Sequence, residues 1–188
     1  MANRQCTEGE HVVTVREAVP ADARAIARVH VDSWRTTYRG IVPDSVLSQL
    51  SYEERERMWQ GILDAAEGQA FVYVAVDEFG QIVGFASGGP ERSGDPDYKG
   101  ELYAIYIADA YHRKGVGRLL AQTVAQRLAR AGLHSMLVSV LVDNPARHFY
   151  EALGGQQARR QQITIGGVTL DKIGYGWTDT SVLASRER

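Results

Sequence analysis

Tyr111-His112-Arg113-Lys114-Gly115-Val116-Gly117-Arg118-Leu119-Leu120 joins a strand-like stretch to a helix-like one. Glu101 to Ile107 reads as a strand. Gly115 to Arg130 reads as a helix, with Val116, Leu119, Leu120, Val124 and Leu128 on one face and Gly132 as its stop. Glycines at such a junction let backbone N–H groups converge, and the helix start adds about half a positive charge. The product is a cradle suited to a phosphate or pyrophosphate, with Arg113, Lys114 and Arg118 adding formal charge. A plain glycine-rich turn with a solvated basic rim is the competing reading. Two phosphate motifs drop out. A P-loop needs Lys after its second glycine, and here Lys114 precedes Gly115. A dinucleotide fingerprint needs a third glycine at position 120, which is Leu120.

Working outward, Met136 to Val142 is a near-continuous apolar run, as expected of a strand buried on both faces. With strand 101–107 and helix 115–130 it makes a βαβ unit, parallel and right-handed. Upstream, Phe71 to Val76 and Gln81 to Ser87 read as an antiparallel hairpin, and Gly88 to Gly100 as a surface loop. Val12 to Arg16 reads as an opening strand. A helix then starts at Pro20-Ala21-Asp22 and carries Ile26, Val29, Trp34 and Tyr38 at helical spacing. A second helix is expected over Asp44 to Leu63. Downstream, Asn144 to Leu153 predicts a short helix, and Ile163 to Ile165 with Val168 to Tyr175 a final hairpin around Gly166-Gly167. The order βααβββαβαββ describes one α/β domain over residues 12–178, with a flexible stretch at 1–11 and a tail at 179–188.

The chain has 188 residues and 44% hydrophobic content, enough for a core without staples. Its net charge of −2 argues against a protein held to nucleic acid by bulk charge. No apolar run approaches the roughly 20 residues that span a bilayer, and the first ten residues lack the apolar centre of a signal peptide. A cytoplasmic protein is expected. Cys6 excludes an internal disulfide and a Cys-rich zinc site, and reads as a free thiol near a loose terminus. The histidines show no spacing with carboxylates that indicates a metal, so none is expected. His30, at helical spacing from Ile26 and Trp34, reads as buried or pocket-lining rather than as a base.

His112-Arg113-Lys114-Gly115-Val116-Gly117 resembles the Gln/Arg-x-x-Gly-x-Gly/Ala segment that follows the fourth strand of the GNAT superfamily of acyl-CoA-dependent N-acetyltransferases. The likeness departs from the pattern at His112, and runs from Thr14-Val15-Arg16 to Tyr175-Gly176-Trp177. It implies a mixed six- to seven-stranded sheet with about four helices, and splayed parallel strands four and five. It also implies that the amides of Arg113 to Arg118 hold the pyrophosphate of acetyl-CoA, with His112 in place of one side-chain contact. Ile105, Tyr106 and Ile107 then pair with the pantetheine arm and the acetyl carbonyl, and Asn144 contacts that arm or its bound water.

Acetyl transfer needs a neutral amine and a stabilised thiolate. Presenting a lysine-like amine as the free base at pH 7 costs about 4.6 kcal/mol. By the resemblance, Glu101 is the base, through burial or a water relay, or else an edge carboxylate with no task. Tyr150, in Asn144-Pro145-Ala146-Arg147-His148-Phe149-Tyr150, points its hydroxyl at the CoA sulfur as general acid. Trp34, Tyr38 and Arg39, ending the first helix, wall the acceptor pocket or simply pack between helices. The Asp95, Asp97 and Tyr98 loop either attracts a cationic amine or is solvated. The expected activity is acetyl transfer to a primary amine of a small molecule by direct attack. The rivals are a protein or peptide acetyltransferase and a catalytically silent CoA sensor. Similarity to the family also implies a homodimer, with Val168–Tyr175 as a place to pair.

Overall fold

Seven strands and six α-helices form among the described residues, 12–65 and 70–184, of the computed structural model. In chain order they are β1 (Thr14–Glu17), α1 (Ala23–Thr37), α2 (Asp44–Ser48), α3 (Tyr52–Asp64), β2 (Phe71–Val76), β3 (Ile82–Pro90), β4 (Gly100–Ile107), α4 (Val116–Arg130), β5 (Met136–Leu141), α5 (Arg147–Ala152), β6 (Gln156–Ile165), β7 (Val168–Trp177) and α6 (Ser181–Ala184). The expectations for residues 1–11 and Cys6 lie outside the described residues.

The strands form one sheet in the order β1-β2-β3-β4-β5-β7-β6, with β4 at its centre. Only β4 and β5 run parallel, as the βαβ reading requires. On one face α4 buries Val116, Leu120, Val124 and Leu128 against Phe71, Leu102, Met136 and Val138. On the other, α1 and α3 bury Ile26, Val29 and Trp59 against Val72, Val74 and Phe85. A third cluster, with Val31, Tyr38, Val42, Leu47, Leu50 and Leu141, ties α1 and α2 to β5.

Four expectations are corrected. The helix predicted over 44–63 is two helices, so the helix count is six rather than about four. The break falls where Leu50 docks in the core and the Ser51 hydroxyl accepts from Glu54 N at 3.2 Å, capping a new start. β6 begins at Gln156, seven residues before the predicted start at Ile163. Gln156-Gln157-Ala158-Arg159-Arg160-Gln161-Gln162 has no apolar alternation, because an edge strand has little to bury. Finally, β7 is no free pairing edge: β5 occupies one side and β6 the other. Within the stretch read as a tail, Ser181–Ala184 is helical and Leu183 lies in the core.

Candidate active site

The parallel pairing of β4 with β5 covers only Gly100, Glu101 and Leu102, opposite Met136, Leu137 and Val138. Beyond Leu102 the two strands run on unpaired with each other, so the centre of the sheet opens. Tyr103 to Ile107 are accordingly half-buried, although β4 is the middle strand of seven. A central strand left open in this way offers backbone groups to an extended ligand. Ile105, Tyr106 and Ile107 all lie on this open stretch, with the Ile107 carbonyl 2.8 Å from His112 Nε2.

A β-bulge decides which side chains face which way. Ser87 pairs with Ala104 and Gly88 with Leu102, leaving Tyr103 as the extra residue. Leu102, Ile105 and Ile107 face α4, whereas Ala104 and Tyr106 pack toward α1. Strict alternation from Leu102 would have put Ala104 with α4.

At the end of the opening, the turn before α4 holds two left-handed residues, Arg113 (φ 61°) and Gly115 (φ 82°). The first helical bond runs from Leu119 N to Gly115 O at 3.0 Å. Among the described residues, no backbone N–H from Arg113 to Arg118 donates a hydrogen bond. Successive bare amides at a helix start make an anion-binding concavity. Gly115 has open space around it, whereas a Cβ on Gly117 would stand 3.2 Å from the Phe149 ring. Gly117 therefore serves the close packing of α4 against α5 as well as the turn.

On the α1 side of the sheet lies a cavity of about 540 Å³, lined among others by Trp34, Tyr38, Arg92, Glu101, Tyr103, Arg159 and Lys172. The Trp34 and Tyr38 rings lie 4.7 Å apart, tilted at 52°, and Trp34 Nε1 donates to the Tyr106 hydroxyl at 2.9 Å. Arg39 does not join them; it is exposed, in a turn that bridges to Val42. Tyr150 is buried, and its phenol is pushed well above the ordinary value by burial first and then by the Tyr38 hydroxyl. Burial, followed by the nearby Tyr38 hydroxyl, likewise raises Tyr106 well above its ordinary value, with Tyr150 a smaller contributor. Tyr38, Tyr106 and Tyr150 thus meet where the strands part.

Glu101 enters the same cavity but is held by Arg92, whose Nε and Nη2 donate to its two oxygens at 3.0 and 2.8 Å. The Arg92 guanidinium also lies 3.8 Å above the Tyr103 ring. Asn144 is buried and its Oδ1 accepts from Ala146 N at 2.8 Å, capping the turn into α5. His30 is buried, accepts from Trp59 Nε1 at 3.1 Å and stacks on Tyr106; burial, then Arg55, pushes its pKa down to about 4. Its ring packs against Trp59, Phe85 and Tyr106. The 91–99 loop is mostly exposed, but Tyr98 is buried and Asp95 half-buried. Tyr98 packs against Gly176, and Asp95 accepts from Arg159 Nη1 at 2.8 Å. Arg92, Arg159 and Lys172 went unnoticed in the sequence because their convergence depends on long-range approach. A second hollow, about 730 Å³ and lined by Arg16, Asp22 and Asp109 among others, lies along the outer side of α1 and holds none of the predicted residues.

Three comparisons bear on this geometry. The family model described as "Acetyltransferase (GNAT) family" matches residues 29–155. A Bacillus subtilis protein named uncharacterized N-acetyltransferase YuaI is 44% identical over 172 residues, covering 92% of this chain and 96% of that protein. A Pseudomonas paraeruginosa L-methionine sulfoximine/L-methionine sulfone acetyltransferase is 27% identical over 135 residues, 71% of this chain and 73% of its own. Among solved structures, PaiA N-acetyltransferase from Thermoplasma acidophilum in complex with coenzyme A superposes with a TM-score of 0.68 at 18% identity. That match covers 86% of this chain and 98% of the other.

Proposed function

Since this chain belongs to the GNAT family of N-acetyltransferases, we propose that it moves the acetyl group of acetyl-CoA to a primary amine of a small molecule, by direct attack in a ternary complex. The observation that carries the reading is the run of bare amides from Arg113 to Arg118 beside a central strand whose pairing with β5 ends at Leu102. The amides suit the pyrophosphate, and the open edge of Ile105, Tyr106 and Ile107 suits the amides and carbonyls of a pantetheine arm. Lys114 and Arg118 add charge at the rim, and His112, tied to Ile107 O, steadies the turn. Asn144 acts at the pantetheine arm by holding the α5 turn in place.

The amine enters from the α1 side, over Trp34 and Tyr38. A cavity of about 540 Å³ fits a small molecule. Nearby, the hairpin tip packs Gly166 against Pro43 and Val46. Glu101 takes the amine proton through water, since Arg92 already occupies both carboxylate oxygens. Tyr150 keeps its proton at neutral pH and donates a hydrogen bond to the departing sulfur. Complete proton transfer from a phenol to a thiolate of pKa about 8.5 runs uphill by at least about 2 kcal/mol, so a hydrogen bond is the larger part of its role. No metal enters the scheme, and a single cysteine accords with a reducing, cytoplasmic setting.

Calorimetric titration with CoA, followed by thiol release from acetyl-CoA with a panel of amines, tests the proposal. Micromolar CoA binding with turnover on small amines supports it. Turnover only on peptides would favour the protein-acetyltransferase reading, and binding without any transfer would favour a CoA sensor.

A further inference from the structure

The acceptor cavity contains one charge that the chain leaves unanswered. Lys172 lies on β7, an inner strand, opposite Leu141 on β5 and Gln161 on β6. Its neighbours Ile173 and Tyr175 belong to the core beneath α4, while Leu170 packs with Tyr38 on the α1 side. Lys172 lines the cavity and is half-buried.

The other charged groups on the same wall are paired. Arg92 grips Glu101. Arg159 donates to Asp95 and Ser93, each at 2.8 Å, and to Glu91 at 3.4 Å. Lys172, among the described residues, makes no hydrogen bond or ion pair. An ammonium partly removed from water and without an ion-pair partner is costly to hold, and an interior strand is an uncommon place for one.

From this juxtaposition we infer that Lys172 is the anion receptor of the acceptor site, and that the acceptor is an amine carrying an anionic group. The inference rests on the acetyltransferase reading and deepens it. The amine sits over Trp34 and Tyr38 near Glu101, and the anion reaches across the cavity floor to β7. A purely cationic amine would instead meet like charge on that floor. A single lysine is a point charge without a fork, so by itself it accepts a carboxylate or a phosphate alike.

The test compares matched pairs that differ only in the anion: α-amino acids against their α-carboxamides, and phosphoethanolamine against ethanolamine. Binding is read by calorimetry on the wild-type protein with and without CoA, and kcat/KM by thiol release. One amino acid is expected to bind and react about tenfold to a hundredfold better than its amide. Lys172→Met and Lys172→Gln should bring that ratio to about one through KM, with CoA affinity unchanged, and Lys172→Arg should restore most of it. Preference for phosphoethanolamine over all amino acids would make the anion a phosphate. Equal affinity for both members of every pair, or a preference that survives Lys172→Met and Lys172→Gln, overturns the inference. Failure of the wild-type protein to bind CoA overturns the acetyltransferase reading separately, and the acid-to-amide ratio measured without CoA still decides the role of Lys172.

Discussion

Arg92 holds Glu101 by both carboxylate oxygens, with Arg92 N adding a third contact at 3.3 Å. The Glu101 side chain is largely buried and the Arg92 side chain is not, at 14% and 59% exposed. A carboxylate in that grip is fixed in direction, as a base working through one water must be. Glu101→Gln keeps the shape and removes the proton acceptor. It should lower kcat/KM about a hundredfold near pH 7, with the loss shrinking as pH approaches the pKa of the amine. A pH–rate profile of the variant that tracks the wild type would leave Glu101 a structural partner of Arg92.

Tyr150 is buried against Phe149, with ring centroids 5.3 Å apart, and its raised pKa keeps it protonated across the working range. Tyr150→Phe retains the ring and its packing. We expect kcat to fall tenfold to a hundredfold, with CoA affinity and melting temperature nearly unchanged. Stopped-flow thiol release beside CoA calorimetry separates these effects, and an unchanged kcat would remove the hydroxyl from the reaction.

The parts of this site that were legible in the sequence are those written in local pattern. The apolar stripe of α4 and the continuous run of β5 mark the βαβ unit, while the glycines between them mark a turn that local pattern alone leaves as either an anion cradle or a plain turn with a basic rim. What was hidden depends on contacts between distant segments. The bulge at Tyr103 adds one residue to a strand and leaves no mark in composition, yet it reverses the facing of Ala104 and Tyr106. Arg159 and Asp95 meet across 64 residues of sequence. The polar half of β6 carries no periodicity because an exposed edge demands none. Asn144 was legible as a position and not as a contact: its Oδ1 caps a turn.

Gly117 supports two functions with one hydrogen atom. A Cβ there meets Phe149 Cε2 and Cζ at 3.2 Å and Ile107 Cδ1 at 3.4 Å. Gly117→Ala should cost about 1 kcal/mol or somewhat more through overpacking and leave CoA binding measurable. Gly117→Trp should abolish CoA binding. Gly115→Ala separates the causes: it has room but sits at φ 82°, so it should weaken the turn through backbone strain alone. CoA affinity by calorimetry and melting temperature, measured on all three, check the assignment. Full affinity in Gly117→Trp would remove the turn from cofactor binding.

Stability in acid should report on His30. Its pKa in the folded protein is about 4, lowered by burial first and then by Arg55, against about 6.5 for an unperturbed histidine. Between those values the unfolded chain takes up a proton that the native state refuses, so stability is full above pH 6.5 and falls as pH drops toward 4. The loss amounts to roughly 3 kcal/mol across the window. Glu91 sits at the other end: burial opposes its ionisation, but hydrogen bonds from Ser93 and Asp95 hold its carboxyl at about 2. Its contribution is therefore lost only once pH falls below the ordinary carboxylate range. The upper part of the window, from pH 6.5 to about 4.5, then isolates His30 from Glu91. His30→Gln retains an acceptor for Trp59 Nε1 without a titrating ring. Urea melts of this variant should give lower stability at pH 7 and a flatter line down to pH 4.5. A wild-type line already flat there would mean that the buried imidazole accepts its proton without cost.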